Sequence, residues 1–294
     1  MKISFRFSVL FLFSLWVFSC KKDSSLTTEG EFSVLTYNVA GLPEGVSSSH
    51  PFTYSDSIGV LVNNYDIVHV QEDFCYHDRI IRHVKQRYTT ETSGCVPFGD
   101  GLNTFSNFPF FNFERTKWRE CNGTDCLTPK GFSFSRLNIA PNHTIDFYNV
   151  HCNAGDAFMD EFSRRKNITQ LCDYVKAHSD GEAVIIMGDT NCRYTREGDT
   201  IREILSLGFD DVWIQLIRGG SIPTIGDPAL KDCDGHPTSA DCEVVDKIFY
   251  RSSAKVELTA LSYQHDDERF YYTNGSPLSD HAPTSARFRF KIIQ

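Results

Sequence analysis

Ile185-Ile186-Met187-Gly188-Asp189-Thr190-Asn191 is the stretch on which the reading of the chain turns. Ala183 to Met187 is an apolar run of strand length, and it stops at a glycine followed by a carboxylate and, two positions on, a carboxamide. That is the pattern of a buried strand delivering polar groups to its end. Positions i and i+2 of an extended backbone share a face, so Asp189 and Asn191 can address one phosphate or one metal. The same residues also fit a plain strand running into an Asx-type turn. The stretch alone does not separate the two readings, and the other strand ends must.

Working outward, the design recurs. Phe32 to Val39 reads as a strand with Asn38 near its end, broken at Gly41-Leu42-Pro43. Asp66 to Glu72 is a second strand, leaving on Gln71-Glu72-Asp73. A carboxylate at the exit of a buried strand is how α/β enzymes present a metal ligand, although Asp73 also fits a cap for a helix from about Tyr76 to Arg87. Gly131 to Leu137 pairs with Thr144 to His151 across a Pro141-Asn142-His143 turn, and the second strand ends in a histidine. Val244 to Tyr250 carries Asp246 where an apolar pattern does not ask for a carboxylate, and Asp280-His281 precede a last strand from Thr284 to Ile293. Helices are predicted at Ser55 to Asn64 and at Phe158 to Ala177, the latter with Phe158, Phe162, Ile168, Leu171 and Val175 along one face. Strands alternating with helices define an α/β protein. The phenylalanines between Phe105 and Trp118 fit core or membrane contact, with core the expected role, and Phe270-Tyr271-Tyr272 is a candidate for touching lipid.

Apolar residues make up 40% of the 294 and charged ones 23%, which excludes a disordered chain and leaves room for one large core. Residues 1–19 carry Lys2 and Arg6 ahead of an apolar segment too short to span a bilayer comfortably, the layout of a signal peptide. Val17-Phe18-Ser19-Cys20 resembles a bacterial lipoprotein signal, so the expectation is export, a lipid on Cys20, a flexible linker over residues 20–30 and a catalytic domain over 31–294. Without residues 1–19 the net charge moves from −9 to −11, which disfavours a polyanionic partner at long range unless a bound metal reverses the local field. Ten cysteines suit an oxidising compartment. Cys121 with Cys126 and Cys233 with Cys242 look like loop staples, and Cys152 could pair with Cys192 if their strands are neighbours.

Tyr37-Asn38-Val39, Gln71-Glu72, Asn149-Val150-His151, Gly188-Asp189-Thr190-Asn191, Val245-Asp246-Lys247-Ile248-Phe249 and Ser279-Asp280-His281-Ala282-Pro283 together resemble the ordered motif set of the endonuclease/exonuclease/phosphatase superfamily. The resemblance runs from about Phe32 to Phe290. It implies a DNase I-like four-layer α/β/β/α sandwich, two packed mixed β-sheets flanked by helices. Asp125 to Phe132, with Lys130-Gly131, and the Gly101 to Pro109 strand are similar to segments of neutral sphingomyelinases.

The activity so implied is Mg²⁺- or Mn²⁺-dependent hydrolysis of a phosphodiester, with Glu72, Asn38 and Asp280 on the metal side and Asn191 and Lys130 on the substrate. His281 would be the general base, oriented by Asp246; Asp189 and Asn191 would position water and phosphate; and His151, as a cation, would stabilise the transition state or protonate the leaving group. The expected substrate is a phospholipid headgroup met by a monomer at a membrane surface. A DNase I-like nuclease acting on nucleic acid, an inositol-polyphosphate-type phosphatase and an inactive binding module are the alternatives.

Overall fold

In the computed structural model, which describes residues 28–227 and 239–293 together with Met1, the apolar runs pair into two six-stranded sheets. The first holds β1 (Glu29–Asn38), β2 (Ile67–Gln71), β3 (Tyr88–Thr89), β4 (Asn103–Ser106), β11 (Val256–His265) and β12 (Thr284–Ile292), in the order β11-β12-β1-β2-β4-β3. The second holds β5 (Phe110–Lys117), β6 (Gly131–Ala140), β7 (His143–His151), β8 (Val184–Asp189), β9 (Asp210–Asp211) and β10 (Asp246–Arg251), in the order β5-β6-β7-β8-β10-β9. Among the described strands only β1–β2 and β7–β8 pair in parallel, and each of those crossovers runs through a helix.

Alternation along β1 shows how the layers form. Phe32 and Val34 belong to the core shared with the second sheet, whereas Leu35, Tyr37 and Val39 pack with Tyr54 and Ile58 of α1 (Pro51–Leu61) and Ile80 of α2 (His77–Ile81). On the other side α3 (Phe158–His178) buries Ile168, Leu171 and Val175 completely, and the short α4 (Arg202–Leu205) and α5 (Val212–Leu216) complete that layer. Cutting Leu171 back to alanine would cost about 2–5 kcal/mol. The result is the expected α/β/β/α sandwich. Strand β8 needs Gly188 for a local reason: a β-carbon there would lie 2.1 Å from the carbonyl oxygen of Val150 on β7.

Several expectations are corrected. Phe158 is 73% exposed, because it is the first residue of α3 and overhangs the sheet before the apolar stripe begins. Phe270 is buried against Tyr37, ring centres 5.1 Å apart, so it cannot touch lipid, whereas Tyr271 is exposed. Phe105 and Trp118 are core and Phe111 faces solvent. Helix α2 stops at Ile81, and Asp73 does not cap it. Cys152 and Cys192 are buried free thiols although β7 and β8 are neighbours. Cys121–Cys126 is bonded as expected, and Cys75–Cys95 is a disulfide that spacing did not suggest. Strand β11 was not predicted, although Val256-Glu257-Leu258-Thr259-Ala260 alternates visibly. Residues 2–19 of the expected signal segment, Cys20 and Cys233 lie outside the described residues; Cys242 is disulfide-bonded.

Candidate active site

Strand register does most of the assembly. On the second sheet β7 places His151 opposite Asp189 of β8, and β10 places Asp246 opposite Asp189 on its other side. Three chemically active side chains therefore stand in a row at one sheet edge. The first sheet brings Asn38 up against them: its Nδ2 donates to Asp189 Oδ2 at 3.1 Å and to Glu72 Oε1 at 3.2 Å. Ala40 N–H donates to Asn38 Oδ1 at 3.0 Å, which fixes the amide with its NH₂ toward the two carboxylates. Gln71, one residue before Glu72, donates to Asn149 Oδ1 across the same sheet interface at 2.7 Å.

His281 reaches the row from the loop before β12. Its Nδ1 lies 2.8 Å from Asp246 Oδ2, and its Nε2 lies 3.8 Å from Asp189 Oδ2. Burial disfavours the charged ring, but the carboxylates of Asp246, Asp189 and Asp280 outweigh it and hold the His281 pKa well above its ordinary value of 6.5. His151 goes the other way. Burial, reinforced by the nearby cations of Lys130 and His281, holds its pKa well below 6.5, which favours the neutral ring over the expected cation. Its Nε2 sits 3.7 Å from Glu72 Oε1 and 3.6 Å from Asp189 Oδ2. Burial raises the pKa of both those carboxyls, which share Asn38 as donor.

The other predicted residues fall around this centre. Asn191, with φ of 51°, donates through Nδ2 to the carbonyl of Cys152 at 3.1 Å, while its N–H donates to Asp189 Oδ1 at 2.9 Å. Lys130 is nearly buried and paired with Asp125 at 2.8 Å, its charge felt by Glu72, Asp189 and His151. Asp280 stands on the exposed rim, hydrogen-bonded by Ser48. It is not drawn into contact with Glu72 or Asn38, because its neighbour Ser279 turns inward to donate to the Asn38 carbonyl. Asn191, Asp246 and His281 open into a cavity of about 590 Å³ that also meets Arg193, Arg196 and Glu161. Neither arginine was anticipated, and their charged heads carried no strand-end signal.

The donor set suits a hard divalent cation. Two carboxylates, Glu72 and Asp189, converge on one amide, and Asp246 Oδ1 is buried without a hydrogen-bond partner. Asp189, Asp246 and His281 also bring one ligand atom each within 4.8 Å of one another. Asp246 already holds the Nδ1 of that histidine, so the trio is better arranged for proton transfer, and Glu72 is a residue that could hold such a cation. As oriented, Asn38 supports Glu72 as a donor; to offer its oxygen it would have to give up Ala40.

This fold and site define a class, and comparison with known proteins agrees. The model of Endonuclease/Exonuclease/phosphatase family 2 matches residues 47–227, and the chain belongs to that family. A Mycobacterium bovis protein named sphingomyelinase is 36% identical over 274 residues, covering 90% of this chain and 54% of that protein. The chain thus spans about half the length of the curated relatives it matches. Among solved structures, a Staphylococcus aureus beta toxin variant with bound magnesium ions superposes with a TM-score of 0.62 at 18% identity, covering 87% of this chain and 99% of the toxin. Humanized D. rerio TDP2 gives 0.64 at 16% identity, covering 88% and 98%. At such identities the structural likeness concerns the fold.

Proposed function

We propose that the chain is a divalent-metal-dependent phosphodiesterase that hydrolyses the headgroup phosphodiester of a phospholipid, as a sphingomyelinase would. The observation that carries the chemistry is the His281–Asp246 pair at 2.8 Å, with Nε2 left open beside Asp189 and the cavity. The substrate class rests on the 36% identity to the mycobacterial sphingomyelinase.

His281 takes the proton of the attacking water at Nε2, while Asp246 holds Nδ1, fixes the tautomer and stabilises the imidazolium that forms. Asp189 and Asn191 orient water and phosphate. His151, neutral and buried, can donate one N–H to the phosphate or to the departing oxygen, and Lys130 adds positive charge as negative charge grows. Glu72, supported by Asn38, would hold Mg²⁺ or Mn²⁺, which when bound polarises the phosphate. The beta toxin neighbour with magnesium supports that choice of ion. Export and anchoring through a lipid on Cys20 belong to the same reading, since they would set the site beside a membrane.

The test is hydrolysis of sphingomyelin vesicles and of plasmid DNA side by side, with Mg²⁺ or EDTA and with His281→Ala as control. Phosphocholine release that vanishes with EDTA and in the variant is the expected result. DNA nicking with the same dependences would move the chain to a nuclease, and neither activity would overturn a phosphodiesterase of these substrates.

A further inference from the structure

We propose that Asp73, gripped by His77 and Asn103, is the positioning residue that holds Glu72 in its metal-binding geometry, an inference that rests on the reading of Glu72 as metal ligand. Glu72 has φ of 55°, in the left-handed region that a residue with a β-carbon avoids. Something must hold it there. Part of the hold is backbone: Gly41 N–H and Phe74 N–H both donate to the Glu72 carbonyl, at 3.0 and 2.8 Å, and Asp73 N–H donates to the Gly101 carbonyl at 3.0 Å.

The rest comes from side chains, that of Asp73 first. Asp73 points away from the site into the protein and is 1% exposed. Its Oδ2 accepts from Asn103 Nδ2 at 2.8 Å and lies 2.6 Å from His77 Nδ1, while its Oδ1 has no hydrogen-bond partner. Asn103 is itself held, its Oδ1 accepting from Arg115 Nη2 at 3.1 Å. Cys75, midway between Asp73 and His77, is tied to Cys95. The turn after β2 is therefore fixed through residues 73, 75 and 77 in succession, and Glu72 is the side chain it throws toward Asn38 and His151. A buried carboxylate is a poor way to fill a core, because an apolar residue of similar volume is usually as stable or more so. It makes sense where a directional anchor is needed, since outer partners of metal ligands typically set about 10- to 100-fold of metal affinity.

The experiment follows Mn²⁺ binding to the purified full chain by loss of the free-ion electron paramagnetic resonance signal, together with the urea unfolding midpoint. The parent is compared with Glu72→Gln, His77→Ala and His77→Asn, the last keeping an N–H donor close to the position of Nδ1. The expected result is that Glu72→Gln loses the site, His77→Ala weakens it about 10- to 100-fold, and His77→Asn restores most of the affinity. If His77→Ala binds Mn²⁺ as the parent does, or if the two His77 variants are equally weakened, Asp73 does not position Glu72. Should His77→Ala fail to fold, Asn103→Ala and Asn103→Asp replace the pair, the aspartate keeping the acceptor for Arg115 but not the donor to Asp73; both must then bind weakly. Glu72→Gln binding like the parent would instead remove the metal reading, and this inference with it.

Discussion

Asn38 Nδ2 on the first sheet donates to Asp189 Oδ2 on the second across 3.1 Å, and the same nitrogen serves Glu72 at 3.2 Å. One amide thus bridges the two halves of the sandwich and keeps two carboxylates in register. Hydrogen bonds to charged groups contribute about 1.5–3 kcal/mol each. Asn38→Ala should therefore lower the unfolding free energy by about 2 kcal/mol or more. Asn38→Asp should do worse in EDTA, since it adds a third carboxylate, and should recover more on adding Mg²⁺ than the parent does. Urea unfolding with and without Mg²⁺ checks both, and equal midpoints for Asn38→Ala and the parent would sink the bridging role.

A second prediction concerns pH. A general base works only when neutral, and the His281 pKa is held well above 6.5 by Asp246, Asp189 and Asp280 against the opposing effect of burial. The acid limb of the rate profile should therefore lie above pH 6.5, with activity rising through the raised pKa. The stability sign is the reverse: the ion pairing of His281 strengthens the fold below pH 6.5 and that contribution is lost as pH climbs through the raised value. Asp246→Asn removes the adjacent anion, so the acid limb should move to lower pH while the maximal rate falls about 10²- to 10⁴-fold. A limb that stays in place would mean that another group sets it.

What could be read beforehand follows from what a strand end reveals. An apolar run closed by Asp189, by His151 or by Glu72 is visible because burial and polarity conflict at one residue. Their mutual contacts were not visible, because the pairing of β7, β8 and β10 depends on sheet register and not on distance along the chain. Protonation was hidden for the same reason: the His151 pKa is lowered first by burial between elements and then by the charges of Lys130 and His281, none of which the strand's own residues reveal. The cap considered for Asp73 is absent because its carboxylate is taken by side chains rather than by helix N–H groups: His77 four residues on and Asn103 thirty residues on. Phe158 was misplaced because hydrophobic periodicity gives a face and not the extent of the surface that covers it, and Phe270 because an aromatic run does not say which of its rings the core takes.

His69 offers a prediction away from the site. It lies on β2, fully buried between the sheets, its ring edge-on to Phe147 at 5.9 Å. Burial pushes its pKa down to about 3, although the backbone of Met187 and Tyr148 opposes the shift. Between pH 6.5 and about 3 the unfolded chain binds a proton at this ring that the folded chain refuses. Stability therefore falls as pH drops through that window, by about 1.4 kcal/mol per pH unit from this group alone. Replacing it by leucine removes the proton and keeps an apolar filler, so His69→Leu should lose stability more gradually than the parent from pH 6 to pH 4. Denaturant unfolding at several pH values measures the two slopes. Parallel lines would mean that the ring takes up its proton in the folded state, and that the gap between the sheets admits a charge.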